Sequence, residues 1–168
     1  MSAAMSTRHW STSLAVALLL SVGVSSAALP HAAAAEGATA AEQGTGRGPT
    51  YTADQRRVLE LVNVTRANNG RSRLTLHPVL VRKAQRWAEH LASINRLVHS
   101  TLTDGAPANW RELGENIGRG RTIAIVHRAL LNQPQHRALM LDRWNRIGTG
   151  VATSASGRVF VVQVFMLT

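Results

Sequence analysis

Arg146-Ile147-Gly148-Thr149-Gly150-Val151-Ala152-Thr153 and Arg158-Val159-Phe160-Val161-Val162-Gln163-Val164-Phe165-Met166 flank the short stretch Ser154-Ala155-Ser156-Gly157. Two runs rich in β-branched and aromatic residues around a small polar loop predict a β-hairpin. The second run is apolar at nearly every position, with Gln163 the one polar exception. A strand apolar on both faces belongs in the middle of a sheet, covered by helices on each side.

Upstream the apolar period changes from strand-like to helical. Thr52-Ala53-Asp54-Gln55 has the pattern of a capping box. Behind it Val58, Leu61, Val62 and Thr65 recur at helical spacing, and Gly70 can end the helix. Asn63-Val64-Thr65 is formally a glycosylation sequon, but its place inside a helix argues for coincidence. A second helix is expected from Pro78, a residue suited to the first helical position, with Leu80, Ala84, Trp87, Ala88, Leu91 and Ile94 as its buried stripe. From His99 to Arg121 the periodicity dissolves among Gly105, Pro107, Gly114, Gly118 and Gly120, which reads as a long loop region, and such loops usually carry function. A third helix spans Thr122–Leu131. A fourth runs from Pro134 to Leu141, with Asn132 or Gln133 at its cap. The fold class is α+β, with helices packed around a small antiparallel sheet.

The N-terminal third has a different character. Arg8 and His9 precede the apolar run Leu14–Leu20, and small residues fill Ala32–Ala35, the pattern of a secretory signal peptide over residues 1–35. Ser21, Gly23, Ser25, Ser26 and Pro30 interrupt the roughly 20 apolar residues that a membrane anchor needs. Cleavage is expected after Ala35, with Ala28 the alternative. Residues 36–51, rich in Gly, Ala, Thr and Gln, read as a disordered linker. Residues 52–168 then form one domain with a real core. No later stretch is apolar enough to span a bilayer, so the mature protein is expected to be a monomer without an integral membrane segment, secreted and extracellular or cell-wall associated.

The chain has no cysteine, which excludes a thiol nucleophile and a thiolate metal site. Its net charge is +10, and +9 once residues 1–35, with Arg8 and no acid, are removed. Such a charge favours anionic surfaces such as envelope polymers or lipid headgroups. The arginines are scattered, however, and no aromatic residues interleave with them to stack bases, so nucleic acid is not an expected partner.

Three islands carry candidate chemistry: His99-Ser100, Gly114-Glu115-Asn116-Ile117 and Pro134-Gln135-His136-Arg137. Together they supply two imidazoles and a carboxylate. Two readings stay open: a metal or ligand site, or a structural polar cluster in which Glu115 holds loop amides and Arg137 pairs with Glu115 or with helix carbonyls. Asn116 reads as loop-stabilising, and His77, His90 and His127 as surface or core histidines. Glu89-His90 lacks the spacing of a zinc-protease helix. Ser100 lacks the glycine-flanked elbow of a serine nucleophile.

Taken in order, the motifs resemble the CAP superfamily (the SCP domain of cysteine-rich secretory, antigen 5 and pathogenesis-related proteins) in its cysteine-free bacterial branch. The resemblance runs from Leu61-Val62-Asn63 and Arg66 through Gly70, Leu74 and Leu76, then Ala84, Ala88, His99-Ser100, the Gly114-Glu115-Asn116 motif, Pro134–Arg137 and Gly148–Val151 to Gln163-Val164-Phe165. It departs from the family pattern at Gln133, where a serine is usual, and in lacking the tryptophan often found just before it. It implies an α-β-α sandwich around a cavity lined by His99, Glu115 and His136, with Asn116, Arg137 and Gln163 as further cavity or ligand-binding residues. A divalent cation such as Zn2+, held by His99, His136 and Glu115, is the implied cofactor; neutral imidazoles and a carboxylate suit zinc. The resemblance points first to a binding module for a lipid, glycan or anionic cell-envelope component. A metal-assisted hydrolase acting on the bacterial envelope is the alternative.

Overall fold

In a computed structural model of the protein, helix α1 (Ala53–Ala67) starts at the capping box. Thr52 Oγ1 accepts the Gln55 N–H at 3.2 Å, and Gln55 Oε1 accepts the Thr52 N–H at 3.0 Å. The structure describes Ser6–Thr7 and residues 49–168, so all of the expected signal peptide but Ser6–Thr7 and most of the linker lie outside the described residues. Helix α2 (Pro78–Ile94) opens on Pro78 and ends at Asn95, whose left-handed backbone (φ 50°) turns the chain out of the helix. Helices α3 (Ile123–Leu131) and α4 (Pro134–Met140) follow, α3 capped by the Thr122 hydroxyl. No helix among the described residues is long and apolar enough to cross a membrane.

The strands are β1 (Ser6–Thr7), β2 (Thr75–Leu76), β3 (Glu112–Gly120), β4 (Arg146–Thr153) and β5 (Val159–Leu167), in the sheet order β1-β3-β5-β4-β2. The three long strands are antiparallel, and the two-residue outer strands run parallel to their neighbours. The sheet is therefore mixed rather than purely antiparallel. Strand β5 is central, and its alternation feeds both sides. Phe160, Val162, Val164 and Met166 pack with Leu80, Ala84, Ala88 and Leu91 of α2. Val161 and Phe165 pack with Val58 and Val62 of α1, Val126 and Leu130 of α3, and Leu139 and Met140 of α4. The result is an α-β-α sandwich, α2 on one face and α1, α3 and α4 on the other.

Three expectations need correction. Residues 112–120, read as loop, form β3. The glycines that suggested a loop serve close packing instead. A Cβ at Gly118 would come within 2.6 Å of Val126 Cγ1, and one at Gly114 within 2.7 Å of Leu139 Cδ1. Ile94 leaves the buried stripe and is 39% exposed, because α2 ends there. Trp87 is half-buried, its indole N–H donating to the Val98 carbonyl at 3.0 Å. The sequon asparagine, by contrast, is buried as a core residue: Asn63 exchanges two hydrogen bonds with the Leu74 backbone, docking β2 on α1.

Arg66 clips the same face together. Its guanidinium donates to the carbonyls of Ser72, Met140, Asp142 and Trp144 while only 2% exposed. Burial, and then the nearby Arg71, lower its pKa.

His127, on α3, bonds the Thr65 hydroxyl at 2.9 Å, and its buried Nδ1 has no partner among the described residues. Burial first, then Arg57, hold its pKa below the ordinary 6.5. Protonation therefore favours the unfolded chain. The stability that the neutral ring contributes is present above the unfolded value and is lost as pH falls through the lower folded value. The melting temperature is expected to fall on acidification from about pH 7 to 5, and His127→Phe to flatten that slope. An unchanged slope in the variant would rule out His127 as its source.

Candidate functional site

The cluster is assembled where β3 passes between the end of α2 and the start of α4. Alternation along β3 sends Glu115 to the α2 face, beside Leu113 and Ile117, and Asn116 to the opposite face. Adjacent motif residues thus serve two different half-sites.

On the α2 face the Glu115 carboxylate is 5% exposed and fully engaged. Oε1 accepts from His99 Nδ1 at 2.8 Å and from the Ser100 backbone N–H at 2.9 Å. Oε2 accepts from the Ser100 hydroxyl at 2.7 Å. With Nδ1 donating, His99 presents Nε2 outward on a side chain that is 42% exposed. Beneath the same loop, Lys83 is buried and donates to the carbonyls of Thr101 at 2.8 Å and Asp104 at 2.7 Å. Burial lowers the Lys83 pKa, while the charges of Glu115 and Asp104 pull it back up. Lys83 and Glu115 thus offset one another's buried charge.

On the other face Asn116 is fully buried. Its amide donates to the His136 carbonyl at 3.1 Å and contacts Gln163 Oε1 at 3.4 Å. Gln163 lies level with Asn116 on one side and Thr149 on the other, so one polar row crosses three strands. His136 stands in the first turn of α4 with its Nδ1 buried and unpartnered among the described residues. Burial first, then the neighbouring His99, lower its pKa, which keeps the ring neutral and able to accept or ligate.

Of the predicted residues, His99 and Glu115 are joined directly, and Asn116 is joined to Gln163 and to the His136 backbone. Arg137 stands apart: it is exposed on α4 and donates to Asn69 Oδ1 at 2.7 Å, not to Glu115 or helix carbonyls. Among the described residues no three His, Asp or Glu side chains gather in a metal-holding group. The two oxygens of Glu115 already accept three hydrogen bonds. Glu115 thus orients His99 through its Nδ1 rather than standing free as a ligand. Ser100 and Lys83 were missed as partners of Glu115. Lys83 had a signal, since it sits three residues after Leu80 on the edge of the buried stripe, where a solvated lysine is out of place.

The comparisons with known proteins agree with this architecture. Residues 59–165 match the model of the cysteine-rich secretory protein family, CAP, and the chain belongs to that family. The uncharacterized protein YkwD of Bacillus subtilis is 27% identical over 117 residues, covering 64% of this chain and 46% of that protein. The chain thus spans less than half the length of that relative. Among solved structures, an outer surface protein of Borrelia burgdorferi superposes with a TM-score of 0.60 at 16% identity, over 66% of this chain and 90% of that one. An extracellular SCP-domain protein of Bacillus anthracis gives 0.60 at 18% identity, over 73% and 45%.

Proposed function

We propose that this CAP-domain protein is an exported binding module that takes a cell-envelope component (lipid, glycan or anionic polymer) at and beside the His99–Glu115 pair. The observation that carries this reading is the commitment of Glu115. A carboxylate whose lone pairs accept from His99 and Ser100 is poorly placed to take a proton from water, and the Ser100 hydroxyl is used as its donor rather than offered as a nucleophile. That favours binding over envelope hydrolysis. Should a divalent cation bind, His99 through Nε2 and His136 are the available donors, and the ion would supply an electrophilic anchor for a ligand oxygen. Export is supported by the signal-peptide pattern and by the surface and extracellular placement of the two structural relatives.

Protein recovered from culture supernatant is expected to begin at or near Glu36 and to sediment with purified envelopes without releasing soluble fragments. His99→Ala should weaken that retention. Fragment release that a chelator abolishes would overturn the reading in favour of the hydrolase, and Met1 retained on a membrane-bound form would overturn export.

A further inference from the structure

Beside the cluster, between α2 and the 99–105 loop, lies a cleft of about 330 Å³ lined by Lys83, Arg86, Trp87, His99, Asp104 and Gly105. We propose that this cleft seats a ring of an uncharged, hydroxyl-rich saccharide. The inference rests on the envelope-binding reading and narrows it from lipid, glycan or polyanion to glycan.

The cleft is built rather than incidental. Lys83 ties the loop to α2 through the Thr101 and Asp104 carbonyls, and the Trp87 indole ties the Val98 carbonyl to the same helix. Both walls then carry a polar side chain with capacity to spare. Arg86 on α2 and Asp104 on the loop are exposed and make no side-chain hydrogen bond among the described residues. Gly105, with φ +66°, forms the turn at the cleft's edge, where a Cβ would be in ordinary contact with Arg86 Nη2 at 3.4 Å. A donor-only guanidinium and an acceptor-only carboxylate lining one cleft match vicinal hydroxyls, which both donate and accept. Half-buried Trp87, its ring set against His90 with centroids 4.7 Å apart, adds apolar surface to the wall for the C–H groups of a sugar.

The other ligand classes fit less well. Lys83 and Arg86 are balanced by Asp104 and by Glu115 behind the wall, so there is no surplus positive charge to select phosphate or carboxylate. An alkyl chain needs apolar surface to leave water with it, and this cleft is open and edged by charged groups. The volume is at the small end of ligand sites, about 300–1,000 Å³, which suits a terminal ring better than a long chain.

The test is an NMR titration of the isotope-labelled protein with three probes: tri-N-acetylglucosamine, maltotriose and lysophosphatidylglycerol. At least one saccharide is expected to shift the Trp87 indole and Gly105 amide signals saturably. Arg86→Ala and Asp104→Ala should each weaken that binding about tenfold, the equivalent of about 1.4 kcal/mol, with melting temperatures unchanged because both side chains are exposed. Silence of the cleft toward both saccharides at concentrations of about 1 mM and above, or equal affinity in the variants, would overturn the proposal. If the lipid alone shifts Asn116 or His136 signals, the saccharide proposal fails while the envelope-binding reading stands. If no probe shifts any signal, both fail.

Discussion

Gly150→Ala is expected to destabilise the domain by more than about 3 kcal/mol, beyond the usual range for added core volume. A Cβ at position 150 would lie 2.1 Å from the Ala84 carbonyl oxygen and 2.3 Å from its carbon. A Cβ at Gly148 would likewise overlap the Leu80 carbonyl, one turn earlier on α2. These are backbone atoms of α2, so no rotamer change relieves the overlap, and the helix would have to lift off β4. Lifting it exposes Leu80, Ala84, Ala88 and Leu91 together, the whole α2 side of the core. Gly70→Ala is the matched comparison. Nothing lies within 4 Å of its added methyl, and only the left-handed φ of +66° opposes it, at about 1 kcal/mol. Thermal melts followed by circular dichroism separate the two. A Gly150→Ala protein melting close to the parent would refute the backbone contact between α2 and β4.

That contact also explains which parts of the fold were legible in the sequence. Helices α1 and α2 announced themselves because a capping box, a proline at the first position and a 3.6-residue apolar period agree. The β4–β5 hairpin did so because β5 is apolar on both faces. Strand β3 did not. Three of its nine residues are glycines, each the sign of a turn when read locally. Two of them are required by α3 and α4 lying against that face, a tertiary cause that leaves no local trace. The short β2 was invisible for a related reason, since a two-residue strand has no period and is held by Asn63 of α1.

The site was legible as a set of residues but not as an arrangement. Glu115, Asn116 and Gln163 are buried polar residues and His99 bonds Glu115 from the surface, yet reading Glu115 and Asn116 as loop hid the strand alternation that sends them to opposite faces. Once residues 112–120 are a strand, the two cannot share a half-site. Arg137 illustrates the same limit. On a seven-residue helix, neighbouring positions point in different directions, and His136 is followed directly by Arg137, which is exposed and bonds Asn69.

Glu115→Ala is expected to be the most damaging change in the cluster, at about 3–5 kcal/mol, the range for removing one partner of a buried charge pair. The His99 ring, the Ser100 amide and the Ser100 hydroxyl would lose their acceptor at once, and Lys83 would keep its buried charge without the nearby counter-charge. Glu115→Gln separates charge from shape. The amide fills the same space and accepts through one oxygen, but its NH2 group turns a donor toward a donor on the other side. Weakened charge-assisted hydrogen bonds predict a loss of about 1.5–3 kcal/mol, read as a lower melting temperature. A zinc titration of the same variant reports on the second role. If Glu115 orients His99 rather than ligating, affinity for the ion should fall by about 10–100-fold, the usual effect of losing an outer-shell partner. Complete loss of binding with stability intact would instead make the carboxylate a direct ligand. That outcome would mean that Glu115 gives up its bonds to His99 and Ser100 when the ion arrives, and it would remove the main argument for binding over hydrolysis.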